Sequence, residues 1–505
     1  MDRLTFDIQI AVGQRTLVDI RDFHIPRDRI TFLFGESGIG KSLIARAIYG
    51  LLDPEEYTVT INREPYTSYL RRSDPAIREN GFFVFQEPSS HLNPLLPLGY
   101  QIREGSLVQA TGEPELLSEL WEGSNKEEIG MLLDVYPKPH RPSGGEKQRL
   151  FLVMALKKID LLLASGANKP GLFVFDEPTG SLDNLFRNVF LSLLFKRFQQ
   201  HPFTTLIITH DYSMVSEVTG TYGTFRQDVS FKELSLSETG LALSNFQPEI
   251  YLGWLNQQKR EPVAKLFGEG KPLLRVESGA AAFGQRLTIS KHSTENEPSS
   301  LEIFPGSLIY LKAPSGTGKT TLVKMMMGLI RGEHLRLSLD DIILTEHTPR
   351  NFWQSNIWGK KMTMVFQHAD EALNPHSTVM GTFGGLPSKN PITREDVRKT
   401  LGELFDFTIS DEFMNKHVNT LSGGQKQRLN LCRSLFLDTD ILILDEPLNG
   451  LDFESITRVL AKLREKLSAG KGILLISHNE EIFDALTPKE HIYYLQAQPI
   501  TPPTL

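Results

Sequence analysis

At 505 residues the chain is too long for a single hydrophobic core, so two or three domains are expected. A formal net charge of −7 argues against nucleic acid as the main ligand. A lone cysteine, Cys432, rules out a disulfide within the chain or a cysteine metal cluster. No apolar run approaches the roughly 18 residues needed to span a bilayer, and the first residues form no secretory segment, so the chain reads as cytoplasmic.

In chain order, a strand at Thr31–Phe34 runs into Gly35-Glu-Ser37-Gly38-Ile-Gly40-Lys41-Ser42, and Leu43 to Leu52 is expected as the helix leaving it. Glycines here let backbone N–H groups turn inward around phosphate oxygens. Lysine neutralises the β/γ-phosphates, and the hydroxyl ligates Mg²⁺. Gln86 follows a strand, with Leu92-Asn93-Pro94 after it; then come Ser143-Gly144-Gly145-Glu146 and the apolar run Leu172–Phe175 ending in Asp176-Glu177. Such short runs suit buried parallel strands with carboxylates at their ends. Thr209-His210 ends another strand.

The second half repeats the series. Ser307–Leu311 is a strand leading into Ala313-Pro-Ser315-Gly316-Thr-Gly318-Lys319-Thr320, with Thr321 next. Gln367, Leu373-Asn374-Pro375, Ser422-Gly423-Gly424-Gln425, Asp445-Glu446 and Ser477-His478 then follow in order. The offset between halves is 319 − 41 = 278 at the lysines, 422 − 143 = 279 at the serines, and 445 − 176 = 269 at the aspartates. About ten extra residues therefore lie in the first half, and Ile159 to Pro170 is read as a surface-loop insertion. The repeat divides the chain into residues 1–245, a linker at 246–270, and residues 271–505. As a flexible coil the linker would reach roughly 27 Å.

This series resembles the ATP-binding cassette (ABC) ATPases over nearly the whole chain. The resemblance implies an α/β fold of two tandem P-loop ABC-type nucleotide-binding domains, each with a mixed β-sheet core and a helical subdomain. It also implies that the halves pair head to tail within the chain and sandwich ATP in two composite sites. Site one would combine Lys41, Ser42, Gln86, Asp176, Glu177 and His210 with Ser422, Gly423, Gly424 and Gln425. Site two would combine Lys319, Thr320, Gln367, Asp445, Glu446 and His478 with Ser143, Gly144, Gly145 and Glu146. Mg²⁺ would be held by Ser42, Gln86 and Asp176, and by Thr320, Gln367 and Asp445. Glu177 and Glu446 would polarise the attacking water, the histidines would contact the γ-phosphate, and the glutamines would sense it.

The halves are unlike. Ala313 stands where the loop pattern has its first glycine, and Glu146 where the other half has Gln425. Both sites are expected to hydrolyse ATP, site one more effectively. For the adenine-stacking aromatic, Phe6 is the candidate in the first half, and none is identified in the second.

Leu-Asn-Pro, six residues after each glutamine (92 − 86 and 373 − 367), resembles the peptide, dipeptide and nickel importer ATPases. That resemblance implies integral-membrane permease partners, a substrate-binding protein, and a peripheral place on the cytoplasmic face of the membrane. The family's extension after the histidine, often cysteine-bearing, is short here. Two alternatives stay open: an energy-coupling-factor-type importer ATPase, and a soluble ABC ATPase docked on an enzyme complex such as a phosphonate-cleaving assembly.

Overall fold

The computed structural model describes residues 3–72, 75–87, 91–93, 95–104, 113–121, 144–164, 171–179, 184–237, 240–261, 270–293, 297–314, 316–387, 391–405 and 407–500. The chain divides into two compact units, Met1–Tyr251 and Leu252–Leu505.

Unit 1 opens with the hairpin β1 (Arg3–Val12) and β2 (Arg15–Pro26), then β3 (Ile30–Gly35), β4 (Thr58–Ile61) and β5 (Glu64–Pro65). It continues with β6 (Phe82–Val84), β7 (Leu172–Asp176), β8 (Thr204–Ile208), β9 (Val229–Ser237) and β10 (Gly240–Asn245). An antiparallel sheet runs β2-β1-β4-β5, and a second sheet runs β10-β9-β3-β8-β7-β6. In the latter, β9, β3, β8, β7 and β6 pair in parallel. The two sheets read differently in sequence because they are buried differently. In β1, Leu4, Phe6, Ile8 and Ile10 turn inward at every second residue, as a one-sided sheet requires, whereas β3, β7 and β8 are buried at every residue and carry unbroken apolar runs.

The helix Lys41–Tyr49 starts at Gly40, whose φ of 112° suits only glycine, and buries Ile44, Ala45, Ala47 and Ile48. With Ile8, Ile10, Val18, Leu33, Val174 and Leu206, those side chains form the core between the sheets. Truncating Ile44 to alanine would cost about 2–5 kcal/mol by cavity formation.

Unit 2 repeats this plan. Its strands are β11 (Leu274–Val276), β12 (Ala281–Ala282), β13 (Gln285–Ser290), β14 (Leu301–Ile303), β15 (Leu308–Lys312) and β16 (Arg336–Leu339). They continue with β17 (Ile342–Thr345), β18 (Met362–Val365), β19 (Ile441–Asp445), β20 (Gly472–Ile476) and β21 (Ile492–Pro499). The sheets run β14-β11-β16-β17 and β12-β13-β21-β15-β20-β19-β18. Between β18 and β19 lie the helices Arg394–Leu404, Asp411–Asn415 and Gly423–Phe436, the helical part of this unit. Cys432 is fully buried there, its Sγ 3.7 Å from the Thr400 carbonyl, as core filler.

Two expectations change. Part of the first-half insertion is not a loop, because it lengthens the helix Gly144–Ala164 to 21 residues against 14 in Gly423–Phe436. Ile159 is buried, and Asp160 takes a two-pronged ion pair from Arg197 at 2.7 and 3.0 Å. Residues 165–170 lie outside the described residues. The linker is also not all coil, since it contains the helix Pro248–Arg260, with acidic Glu249 in its first turn and Lys259 and Arg260 in its last. Tyr251, on that helix, joins the unit 1 aromatic cluster of Phe34, Tyr212 and Phe246.

Candidate functional site

Each unit places its phosphate loop between a buried strand and a helix that starts at the loop lysine. Gly35, Gly38 and Gly40 have φ of 140°, 82° and 112°, and Gly316 and Gly318 have 78° and 97°. These left-handed residues turn successive N–H groups to one side, as a phosphate cradle requires. Lys41 Nζ donates to the Gly35 and Glu36 carbonyls at 2.6 and 2.9 Å, and Lys319 Nζ to the Ala313 carbonyl at 2.5 Å. Both ammonium groups thus lie along their own loops. Ser37, Gly38 and Gly316 are described in the loops, whereas Ser315 lies outside the described residues.

The loop entrances differ. A Cβ on Gly35 would sit 2.4 Å from the Leu234 carbonyl oxygen, because β9 pairs with β3 as far as Gly35. Ala313 has no positive φ, and β21 pairs with β15 only as far as Lys312. Alanine is therefore unstrained at 313, whereas glycine is required at 35.

Acidic residues close each site. Ser42 Oγ donates to Asp176 Oδ1 at 2.8 Å. Asp176 and Asp445 end β7 and β19 and are both buried. Burial pushes the Asp176 carboxyl up to about 6, against the Ser42 hydroxyl, and burial likewise raises that of Asp445. Asp176 Oδ2 makes no hydrogen bond, and the buried Asp445 carboxylate has the Thr320 hydroxyl beside it. Buried carboxylate oxygens left over in this way beside a Ser or Thr hydroxyl fit a hard divalent cation such as Mg²⁺. Thr320 and Thr321 open the helix Lys319–Met326.

Glu177 and Glu446 share one unusual backbone conformation, each with φ of 49°. For a non-glycine residue that is strained, and such strain persists where the surroundings fix it. Both N–H groups bond across to the neighbouring strand, Glu177 to the Ile208 carbonyl and Glu446 to the Ile476 carbonyl, each at 2.9 Å. His210 Nδ1 lies 2.9 Å from Glu177 Oε2. Burial lowers the affinity of His210 for a proton, but the charge and hydrogen bond of Glu177 outweigh this and raise it. His478 is more exposed, its Nε2 3.5 Å from Glu446 Oε1. Burial pushes Glu446 up to about 7 despite the His478 backbone N–H and the Ser477 hydroxyl.

Gln86 is exposed and Gln367 half-buried, each just beyond its strand β6 or β18. Ser422 is the N-cap of the helix Gly423–Phe436: its Oγ accepts the Gln425 N–H, and the Gln425 side chain accepts the Ser422 N–H, each at 3.2 Å. Gly423 and Gly424 form the first turn. In unit 1 the helix begins at Gly144-Gly145-Glu146, and Ser143 lies outside the described residues.

An aromatic escaped the sequence reading. Phe6 is only 5% exposed inside the antiparallel sheet and offers no face to a base. Phe283 is 84% exposed, with φ of 51°, at the β12–β13 hairpin. The signal was present in a repeated tripeptide: Val12 precedes Gly13-Gln14-Arg15 as Phe283 precedes Gly284-Gln285-Arg286. The strand leaving each hairpin crosses the last loop glycine. A Cβ on Gly40 would meet Val18 at 2.9 Å, and one on Gly318 would meet Leu287 at 3.3 Å.

Comparison with known proteins agrees with this geometry. A family model described as "ABC transporter" matches residues 18–180 and 297–449. The glutathione import ATP-binding protein GsiA of Pectobacterium atrosepticum is 24% identical over 96% of this chain and 82% of its own length. The uncharacterized ABC transporter ATP-binding protein YejF of Escherichia coli K12 is 28% identical over 94% and 89%. Among solved structures, the archaeal ribosome recycling factor aABCE1, in complex with the stalk protein aP1, superposes with a TM-score of 0.55 at 17% identity, over 97% of this chain and 89% of that one. A ribosome-bound archaeal Pelota–ABCE1 model gives 0.58 at 16% identity, over 98% and 79%. At that identity the structural likeness shows the fold alone. With two P-loop cassettes of α/β fold and a family match in each, the chain belongs to the ABC transporter family and is an ATP-binding, ATP-hydrolysing protein.

Proposed function

We propose that the chain is the motor subunit of a membrane importer of the peptide or nickel type, with ATP held between its two halves. The observation that carries this reading is the Leu-Asn-Pro sequence six residues after the glutamine in both halves, of which Pro94 lies outside the described residues. In unit 1 Gln101 holds the backbone on either side of it: its Oε1 accepts the Asn93 N–H at 2.8 Å, and its Nε2 donates to the Asn93 and Leu96 carbonyls, each at 3.0 Å. Beside it, Leu95 and Tyr100 stand 81% and 50% exposed. Apolar side chains presented to water beside a hydrogen-bonded backbone suit a permease loop as partner. Full-length kinship to two ABC ATP-binding proteins, one of them an import protein by name, supports the same reading. No helix among the described residues is long and apolar enough to cross a membrane, so the membrane-spanning part would come from separate permease subunits, joined by a substrate-binding protein. The chain would then sit peripherally at the cytoplasmic face.

In this account Lys41 and Lys319 neutralise the β- and γ-phosphates, while loop N–H groups fix the phosphate chain. Mg²⁺, held by Ser42 and Asp176 or by Thr320 and Asp445, with Gln86 or Gln367 reaching toward it, would neutralise the phosphate oxygens. Glu177 and Glu446 orient and polarise the attacking water, and His210 and His478 contact the γ-phosphate. Ser422-Gly423-Gly424 of one half and Ser143-Gly144-Gly145 of the other complete the opposite site with helix N-terminal N–H groups. Phe283 stacks on adenine in the second unit, where base–aromatic stacking supplies about 1–3 kcal/mol.

Affinity purification of the chain from its native membranes tests the partner. Recovery of multispanning apolar subunits, lost in Leu95→Asp with Tyr100→Asp, supports the importer. A purely soluble set of partners, unaffected by those substitutions, contradicts it.

A further inference from the structure

The two general-base candidates are held by different neighbours. In unit 2, Ser477 is buried immediately before His478; its hydroxyl donates to Glu446 Oε2 at 2.8 Å and accepts the Asn479 N–H at 3.1 Å. Tyr310, fully buried on β15, donates its hydroxyl to the Ser477 carbonyl at 2.9 Å. One proton per hydroxyl fixes the direction of both bonds. Ser477 leaves Glu446 Oε1 untied, with His478 Nε2 3.5 Å from it.

Unit 1 lacks both parts of this arrangement. Phe32 occupies the place of Tyr310, each three residues before the loop's first position (35 − 32 and 313 − 310), and it has no hydroxyl. Thr209 accepts the Asp211 N–H at 3.0 Å, but no bond from it reaches Glu177. Glu177 is held by His210 at 2.9 Å instead.

We propose that Ser477 is a positioning residue for Glu446, its backbone fixed by Tyr310, so that a buried serine hydroxyl does in the second half what His210 does in the first. The Ser477 hydroxyl ties Oε2 and leaves Oε1, on the His478 side, for the attacking water. A carboxylate held by a hydroxyl keeps one rotamer when the phosphate-contacting histidine moves, whereas Glu177 depends on that histidine for its orientation. This inference rests on the reading of Glu446 as a water-polarising base.

Steady-state ATP turnover of the full chain tests it, with Glu446→Gln defining the Glu446-dependent part. Ser477→Ala is expected to lower that part by about fivefold to twentyfold with KM for ATP within about twofold, as for a lost hydrogen bond to a charged group. Tyr310→Phe should lower it by a smaller factor. Ser477→Thr, which restores the hydroxyl in the shape unit 1 already accommodates, should recover most of it. Thr209→Ala should leave turnover within about twofold of the unaltered chain. Equal loss in Ser477→Ala and Ser477→Thr, or equal loss in Ser477→Ala and Thr209→Ala, would overturn the proposal. If Glu446→Gln removes turnover and Ser477→Ala removes none, the positioning role fails alone. If Glu446→Gln removes none, the reading of Glu446 as a base fails, and the positioning role with it.

Discussion

The same chemical parts are mounted twice in this chain, and the mountings differ more than the parts. Both loops carry the lysine and the hydroxyl, both acidic strands end in Asp-Glu, and both glutamates sit at φ of 49°. What differs is the frame. In unit 1, β9 presses on Gly35, His210 holds Glu177, and Val12 stands at the hairpin. In unit 2 the loop entrance accepts Ala313, Ser477 holds Glu446, and Phe283 projects from the hairpin. The lesson is that residue identity at the reacting centre is set by phosphate chemistry, while its support is set by whichever strands and side chains lie next to it.

The largest effect that separates the halves is in turnover. Glu177→Gln should lower the rate at its own site by about 100-fold or more and remove most of the steady-state ATPase activity. Glu446→Gln should remove a smaller share. Intact turnover in Glu177→Gln, with none in Glu446→Gln, would reverse the assignment. Binding separates them next: Phe283→Ala should weaken ATP binding at the unit 2 loop about tenfold in an equilibrium titration, from the loss of base stacking. Val12→Ala should leave the affinity of the unit 1 loop unchanged, and an equal loss there would remove the distinction.

Stability gives a smaller contrast. Gly35→Ala forces a Cβ against the Leu234 carbonyl at a φ only glycine favours, and should destabilise unit 1 by about 2–3 kcal/mol in denaturant unfolding. Ala313→Gly should cost unit 2 less than about 1 kcal/mol, mostly through the entropy of the unfolded chain. Smallest of all, Cys432 should not react with a thiol reagent at pH 8 in the folded protein. Burial raises its pKa far above the usual thiol range, so labelling during a denaturant titration reports the opening of unit 2 by itself.

Much of the site was legible because phosphate handling demands fixed residues at fixed spacing. Gly-rich loops, Asp-Glu after unbroken apolar runs and a histidine at a strand end announce themselves without tertiary information. Phe283, proposed to stack on adenine, did not, since its exposure at a hairpin tip is not conveyed by a strand pattern. Phe6 misled because an inward-facing aromatic of an alternating strand looks the same on paper as an outward one. The bond by which Tyr310 fixes the Ser477 carbonyl was invisible because its members are 167 residues apart in sequence. Offsets between the halves located the insertion, yet they could not say that it would extend a helix and place Asp160 against Arg197.

Whether each half completes the other's nucleotide site is measured most directly by crosslinking. In a chain carrying Glu177→Gln and Glu446→Gln to retain nucleotide, Ser37→Cys in the first loop is paired with Ser422→Cys at the second Ser-Gly-Gly tip. Disulfide formation should rise sharply with ATP and Mg²⁺ and be weak without them. No crosslink in either condition, from a protein that still binds ATP, would contradict the head-to-tail account.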